Sequence, residues 1–391
     1  MKILNKIQEI VSGISGIIRD EFRTISGSYA ILLVLMGGIF VYGLLYNYMY
    51  APDLVREVPV AVVDNSKSEL SRKYIRLLDA TPQVHILSTD MDYTEAQDLM
   101  KKGDVAGILY LPYDFEDRVA QGDESIFILY ETTSAFLYYM AMQEASSASM
   151  LALNDEYRAD MVVFLPAKDA AQLASAQPVQ VVGTALFNPT EGYGSYLIPA
   201  VLIVIIFQTL LMVIGMISGR ERHKHLLRRY EPTWKWAVSL VAGKTFVYTM
   251  LYAVFALFLL GLIPLLFDLP EIGNGMHIIM LLIPFLLSTC FFGLTASLFF
   301  TDSDAPLLMI AFFSVGLIFL SGVSYPMELM PWYWQAVHYV VPVAPATLAY
   351  VKLSSMGASM AGIHMQYLTL WIQCAVYFIT ACWVYKRNLN L

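Results

Sequence analysis

The sequence predicts an α-helical integral membrane protein with six transmembrane helices and an α/β extracytoplasmic domain inserted between the first and second spans. Composition is one ground: 58% of the 391 residues are hydrophobic and 14% charged, where soluble proteins carry about 25% charged residues. Six apolar runs also reach the ~20 residues that a helix needs to cross ~30 Å of hydrocarbon. They lie near Tyr29 to Met49, Tyr196 to Ser218, Trp236 to Phe267, His277 to Phe300, Ala305 to Val323 and Tyr367 to Tyr385. The third ground is charge partition. Between Tyr50 and Ser195 stand 22 acidic and 10 basic residues, a net of −12 in a chain of net −8, so the remainder sums to +4.

Residues 1–27 carry Ile3, Ile7, Ile10, Ile14, Ile17, Ile18, Phe22 and Ile25 at three- and four-residue steps. That stripe predicts an amphipathic cytoplasmic helix lying in the membrane interface; a solvated leader would leave it in water. Residues 28–49 form the first span, which has no small-residue cleavage site after it and reads as a signal anchor.

Residues 50–195 alternate strands and helices. "VPVAVVD" reads as a strand, ended by Asp64-Asn65-Ser66, which are placed to cap the helix "SELSRKYIRLLDA". "VHILS" is a second strand, "YTEAQDLMKKG" a helix stopping at Gly103, "VAGILYLP" a strand, "YDFEDRVAQG" a helix stopping at Gly122 and "SIFILYET" a strand. A helical extension runs from about Ser134 to Arg158, another helical piece follows Pro166, and "PVQVVGTALF" leads back to the membrane. The insert holds no cysteine, because Cys290, Cys374 and Cys382 all fall in spans, so no disulfide staples it.

Residues 196–391 form a five-span membrane domain with a charged loop at 219–235 and two short outer-leaflet helices within 324–366. The latter segment is apolar but broken by Pro326, Pro331, Pro342 and Pro345. A seventh span there would put Lys386 and Arg387 outside. Short cytoplasmic loops retain Lys and Arg, and Lys2, Lys6, Arg19 and Arg23 precede the first span, Arg220, Arg222, Lys224, Arg228, Arg229 and Lys235 fill the charged loop, and Lys386 and Arg387 follow the last span. Both termini are therefore expected in the cytoplasm and the acidic insert outside, which suits a bacterial plasma or inner membrane.

Gly243-Lys244-Thr245 ends like a phosphate-binding loop, but the glycine that G-x-x-x-x-G-K-[ST] requires is Val238, and the flanks form one apolar helical run. His223 and His225 lie two apart and do not share the helix face of an i, i+4 metal pair. Gly215 and Gly219 allow close helix approach, within the chain or between subunits. Tyr42, Tyr46, Tyr48, Tyr50, Trp332, Tyr333 and Trp334 form an interfacial belt; Trp332 and Trp334 double as candidates for the pathway or outer gate. Lys244, at the inner end of its span, has a simple reading as a lysine that snorkels to the headgroups.

Laid out in this order, the chain resembles the permease subunits of type 2 ATP-binding-cassette (ABC) exporters, in the subgroup with a large external domain between the first two spans. The resemblance rests on "VAVVDNSKSELS", "GILYLPYDFEDRVAQG", "LFNPTEGYGSYLIPAVL", a charged loop followed by "GK", and the proline-rich "SGVSYPMELMPWYWQAVHYVVPVAPATLAYVKLSSMG". It implies that this chain is no enzyme and binds no cofactor, with ATP and Mg held by soluble ABC ATPase subunits. It also implies a second permease protomer, of the same or a different chain, with a periplasmic adaptor as a further candidate partner and no nucleic acid. The ATPase-coupling loop would comprise Gly219, Arg220, Glu221, Arg222, Lys224, Leu226, Leu227, Arg228 and Arg229, assisted by the interfacial helix. Lys244 would match the family's inner-end lysine. Many relatives continue with a "REKERGTLE"-like sequence; here Arg220, Glu221 and Arg222 are retained and the Gly-Thr-Glu part is absent. On the residues alone, a topology determinant touching anionic lipid is the alternative reading of the basic loop.

The spans show almost no internal charge, which points to a hydrophobic or amphipathic substrate such as a drug, a lipid or a lipid-linked molecule. Two alternatives stand beside an exporter. A secondary transporter would want intramembrane acids or paired repeats, and a membrane-anchored scaffold would use the external domain to recruit an adaptor.

Overall fold

The computed structural model describes residues 2–50, 55–89, 91–121, 127–130, 135–164, 192–269, 271–300, 302 and 304–389. The chain divides into two units, Leu54–Thr184 and, flanking it in sequence, Met1–Asp53 with Ala185–Leu391. Two helices, α1 (Lys2–Ser26) and α2 (Tyr29–Met49), precede the inserted unit.

The inserted unit runs β1 (Val58–Asp64), α3 (Glu69–Asp79), β2 (Val84–Ser88), α4 (Tyr93–Lys102), β3 (Gly107–Leu111), α5 (Phe115–Gln121), β4 (Phe127–Tyr130) and α6 (Ala135–Phe164). Its sheet has the order β2-β1-β3-β4, with β2, β1 and β3 parallel and β4 antiparallel to β3. A parallel strand covered on both faces must be apolar on both, and β1 meets that demand. Val58, Val60 and Val62 pack with Tyr74 and Leu78 of α3, Phe115 of α5 and Met142 of α6, whereas Ala61 and Val63 pack on the other face with Ala96 of α4. Asp92 and Glu95 form a reciprocal capping box at the start of α4, and Gly103, at φ +82°, ends it in the left-handed conformation.

The cap of α3 differs from the expectation. Ser68 accepts the Ser71 N–H at 3.0 Å, while Asp64 accepts the N–H groups of Ser66 and Lys67 and, at 2.7 Å, the Ser71 hydroxyl. The chain needs a turn through Lys67, at φ +50°, before it can run back over the sheet, so the cap falls later than Asp64 to Ser66. The helical piece after Pro166 and the returning segment 178–187 lie outside the described residues.

The larger unit continues with α7 (Tyr193–His223), α8 (Trp234–Leu266), α9 (Gly275–Ala296), α10 (Ala305–Leu320), α11 (Trp332–His338), α12 (Val343–Ser354) and α13 (His364–Asn388). Five helical stretches among the described residues are long and apolar enough to cross a membrane: α2, α7, α8, α9 and Met360–Asn388. The expected span Ala305 to Val323 is shorter than its composition suggests. At 16 residues α10 is ~24 Å long, short of ~30 Å of hydrocarbon. It stops because Gly322 turns to φ +84° and the Ser321 hydroxyl bonds back to Ile318 O. The proline-broken segment forms α11 and α12, bent by 80°.

Most of α7 is buried, and α2, α8, α9, α10 and α12 pack around it. One face of α8 (Val241, Tyr248, Tyr252, Phe255) is buried, and the opposite face (Phe246, Met250, Val254, Leu257) is apolar and exposed, the pattern of a helix with protein on one side and lipid on the other. Gly215 marks a close approach within the chain: a Cβ there would sit 2.6 Å from the Pro306 side chain of α10.

Tyr74 joins α3 to α6 through a 2.6 Å hydrogen bond with Ser146 Oγ, and burial pushes its phenol up to about 12 from 10.0. The folded form therefore keeps the proton after the unfolded chain has lost it, and stability falls as pH rises from 10 towards 12, by up to ~2–3 kcal/mol. Tyr74→Phe should lose about 1 kcal/mol of hydrogen bonding near neutrality yet show a shallower alkaline decline. Melting curves of the two proteins across that pH range check both effects.

Candidate functional site

The Gly-Lys pair sits well inside α8, where the backbone is helical from Trp234 onward, so no phosphate loop precedes it. Gly243 has a packing role instead. A Cβ at this position would lie 2.8 Å from Ile17 Cγ2, so only glycine lets α1 lie this close against α8. One helical turn beyond Ile17 stands Glu21, and one residue beyond Gly243 stands Lys244. Their contact follows from that approach: Lys244 Nζ lies 2.6 Å from Glu21 Oε2 and 2.8 Å from Glu221 Oε1, in the last turn of α7. Tyr248, a turn further along α8, donates to Glu21 Oε1. Lys244 is 1% exposed, which corrects the expectation that it snorkels to the headgroups.

Around this bridge the same end of the unit is tied by further contacts. Arg229 pairs with Asp20 of α1 at 3.0 Å and lies over the Tyr230 ring, which packs against Trp236. Burial raises the Tyr230 phenol above its ordinary value. From α13, Tyr385 reaches Ser218 of α7, and the Lys386 ammonium sits 4.4 Å from the Trp234 ring centre.

A buried charge is tolerated only while its partners hold it. Here one ammonium serves two carboxylates, and Glu221 Oε2 is buried with no hydrogen-bond partner among the described residues. Separating α1, α7 and α8 would expose that imbalance. The bridge therefore makes the three helices one mechanical unit at this end.

The residues expected in the coupling loop divide into two groups. Gly219, Arg220, Glu221 and Arg222 continue α7, Leu226 to Arg229 form a short 3-10 turn, and His225 takes φ +52° between them. Lys224, Leu226, Arg228 and Arg229 are exposed, and Arg220 and Arg222 half-buried. Gly219 and Leu227 are buried, and Glu221 is turned inward to Lys244. Missed altogether was Glu21. Its signal was present: positions 14, 17, 18, 21 and 25 share one helix face, so Glu21 is an acid set in the isoleucine stripe. Phe22, counted in that stripe, is 61% exposed.

Elsewhere in the unit a cavity of about 800 Å³ is lined by Phe207 and Leu211 of α7, Phe292 of α9, Phe313 and Leu317 of α10, and Trp334 of α11. Trp334 thus faces it, whereas Trp332 is 79% exposed and is not among its lining residues. The wall suits an apolar body rather than an ion. No group of three potential metal ligands occurs among the described residues.

Lys244→Met should lower stability by about 3–5 kcal/mol, because Glu21 and Glu221 would stay buried without a cation. Adding Glu21→Gln and Glu221→Gln should restore most of the loss, read as the melting temperature in detergent. A Lys244→Met protein that melts with wild type would mean the ammonium is solvated.

A family model described as "ABC-2 family transporter protein" matches residues 29–383. No curated protein matches the chain.

Proposed function

The chain belongs to the ABC-2 transporter family, as a permease subunit embedded in the membrane, and we propose that it exports a hydrophobic or amphipathic molecule, driven by ATP hydrolysed on separate soluble subunits. The observation that carries this reading is the buried bridge from Lys244 to Glu21 and Glu221. An ATPase seated against Arg220, Arg222, Lys224, Leu226 and Arg228 pushes on the end of α7, and the bridge passes the push to α1 and α8 at once. Glu221 acts behind this surface, as the tie, rather than on it.

Two protomers surround the pathway, of the same or different chains. Binding of ATP with Mg²⁺ in the partner subunits closes them, and the spans rock to open the path outward. The bias comes only from the permease's different affinity for the two ATPase states. A drug, a lipid or a lipid-linked compound fits the 800 Å³ apolar cavity, with Trp334 as the gate residue. Arg23, Arg220, Arg229 and Lys386 all belong to the Lys244 end, which supports placing that end and both termini in the cytoplasm of a bacterial inner membrane. The acidic α/β unit then lies outside, where a periplasmic adaptor is its natural partner.

Orientation has a direct test. A cysteine at Lys102 should react with a membrane-impermeant maleimide in intact spheroplasts, and one at Lys224 only after lysis; the opposite pattern would invert the topology. For coupling, Lys224→Ala with Leu226→Ala, both exposed, should cut ATPase stimulation about tenfold, equivalent to ~1.4 kcal/mol, with little change in melting temperature. Glu221→Gln should reduce both. Full stimulation by the Lys224/Leu226 variant would remove the coupling assignment.

A further inference from the structure

The cavity of about 800 Å³ among α7, α9, α10 and α11 is aromatic as well as apolar. Eight of the nineteen residues that line it carry aromatic rings, in a chain that is 13% aromatic. Each element contributes: Phe207 on α7, Phe292 on α9, Phe299 in the turn before α10, Phe313 on α10, Tyr325 beyond it and Trp334 on α11. Some of these rings are braced by neighbours. Phe292 packs 6.1 Å from Phe207 and 5.2 Å from Tyr377 of α13, and Phe313 meets Phe312 edge-on at 5.4 Å. Others are uncovered by the rest of the chain, Phe299 being 77% exposed and Phe313 55%. Among the described residues no charged, amide or aliphatic hydroxyl side chain lines the cavity, and the Tyr325 hydroxyl and Trp334 indole supply its only side-chain O–H and N–H groups.

We propose that this cavity takes a flat aromatic ring system without a localised charge, in preference to the acyl chain of a lipid. The proposal rests on the cavity being the substrate site and narrows the substrate within that reading. The bilayer is the reference state for any apolar cargo. Lipid tails are as apolar as an aliphatic wall, so an acyl chain exchanges like for like on entering. A ring system gains stacked and edge-on contacts with the wall that lipid tails cannot supply. An anion is disfavoured twice, being buried without a cation and set against ring faces of negative potential. The two donors, Tyr325 and Trp334, suit an oxygen or ring nitrogen on the ligand. At about 800 Å³ the cavity lies within the roughly 300–1,000 Å³ that sites for drug-sized ligands span.

The test measures saturable binding to the full chain in lipid nanodiscs, with empty discs subtracted and no ATPase present. The labelled probes are acridone, flat and neutral; tetradecanol, aliphatic; and anthracene-9-carboxylate, flat and anionic. Acridone should bind about tenfold tighter than either of the others. Phe299→Leu with Phe313→Leu keeps the wall apolar and removes two exposed rings, so it should leave the melting temperature unchanged while weakening acridone about tenfold. Phe246→Leu, exposed on α8 and not part of the cavity wall, should change neither. Tetradecanol binding as tightly as acridone, or acridone binding that ignores the loss of both rings, would overturn the aromatic assignment and give the cavity to an acyl chain. Tightest binding of the carboxylate would overturn the exclusion of charge. An absence of saturable binding by any probe would overturn the site and leave the cavity to be covered by a second protomer. Acridone that binds as expected but is not moved by ATP in vesicles holding permease and ATPase would contradict export and leave the binding site standing.

Discussion

One ammonium buried between two carboxylates organises one end of the membrane unit. Lys244 cannot be left alone at 1% exposure, and neither Glu21 nor Glu221 can be buried without it. Each group comes from a different helix, so the electrostatic requirement becomes a geometric one: α1, the end of α7 and α8 must meet. Gly243 satisfies it sterically, since the space a side chain would need is taken by Ile17. The Gly-Lys pair thus belongs together for a reason unrelated to nucleotide, the glycine drawing α1 in and the lysine holding it there.

That arrangement separates two jobs within the unit. Charge is gathered at that end, where Arg229 with Asp20 and Lys386 with Trp234 add ties around the buried one. The cavity formed by α7, α9, α10 and α11 is lined almost wholly by apolar side chains. Because α7 runs from the bridge at Glu221 to the apolar wall at Phe207 and Leu211, a displacement of its charged end reaches the cavity through one helix buried along most of its length. A permease of an ATP-driven transporter needs a connection of this kind, since the energy arrives at one end and the cargo is met elsewhere.

Much of the fold was legible because local chemistry dictates it. β1 and β2 occupy the expected Val58–Asp64 and Val84–Ser88, each a β-branched run bounded by turn residues, and Gly103 stops α4 because the backbone there requires positive φ. Composition could not reveal that α10 ends at Leu320, because the apolar run continues to Val323 and only the turn at Gly322 interrupts it. The site was half legible. Lys244 and Glu221 stood out as charges at span ends, but the pairing of Lys244 with Glu21, 223 positions away, leaves no periodic trace. Glu21 was visible only as an acid interrupting an isoleucine stripe, and counting apolar residues placed Phe22 on the stripe instead.

The central claim is that α1, the end of α7 and α8 move as one body when the ATPase changes state. Spin labels at Arg19 on α1 and Val238 on α8, in the permease bound to its ATPase, measure it directly by electron–electron double resonance. The account predicts the same label separation with and without bound ATP, while the distance between equivalent labels on the two protomers changes. A separation within one chain that shifts with nucleotide would contradict it, because α1 would then move independently of the lysine that holds it.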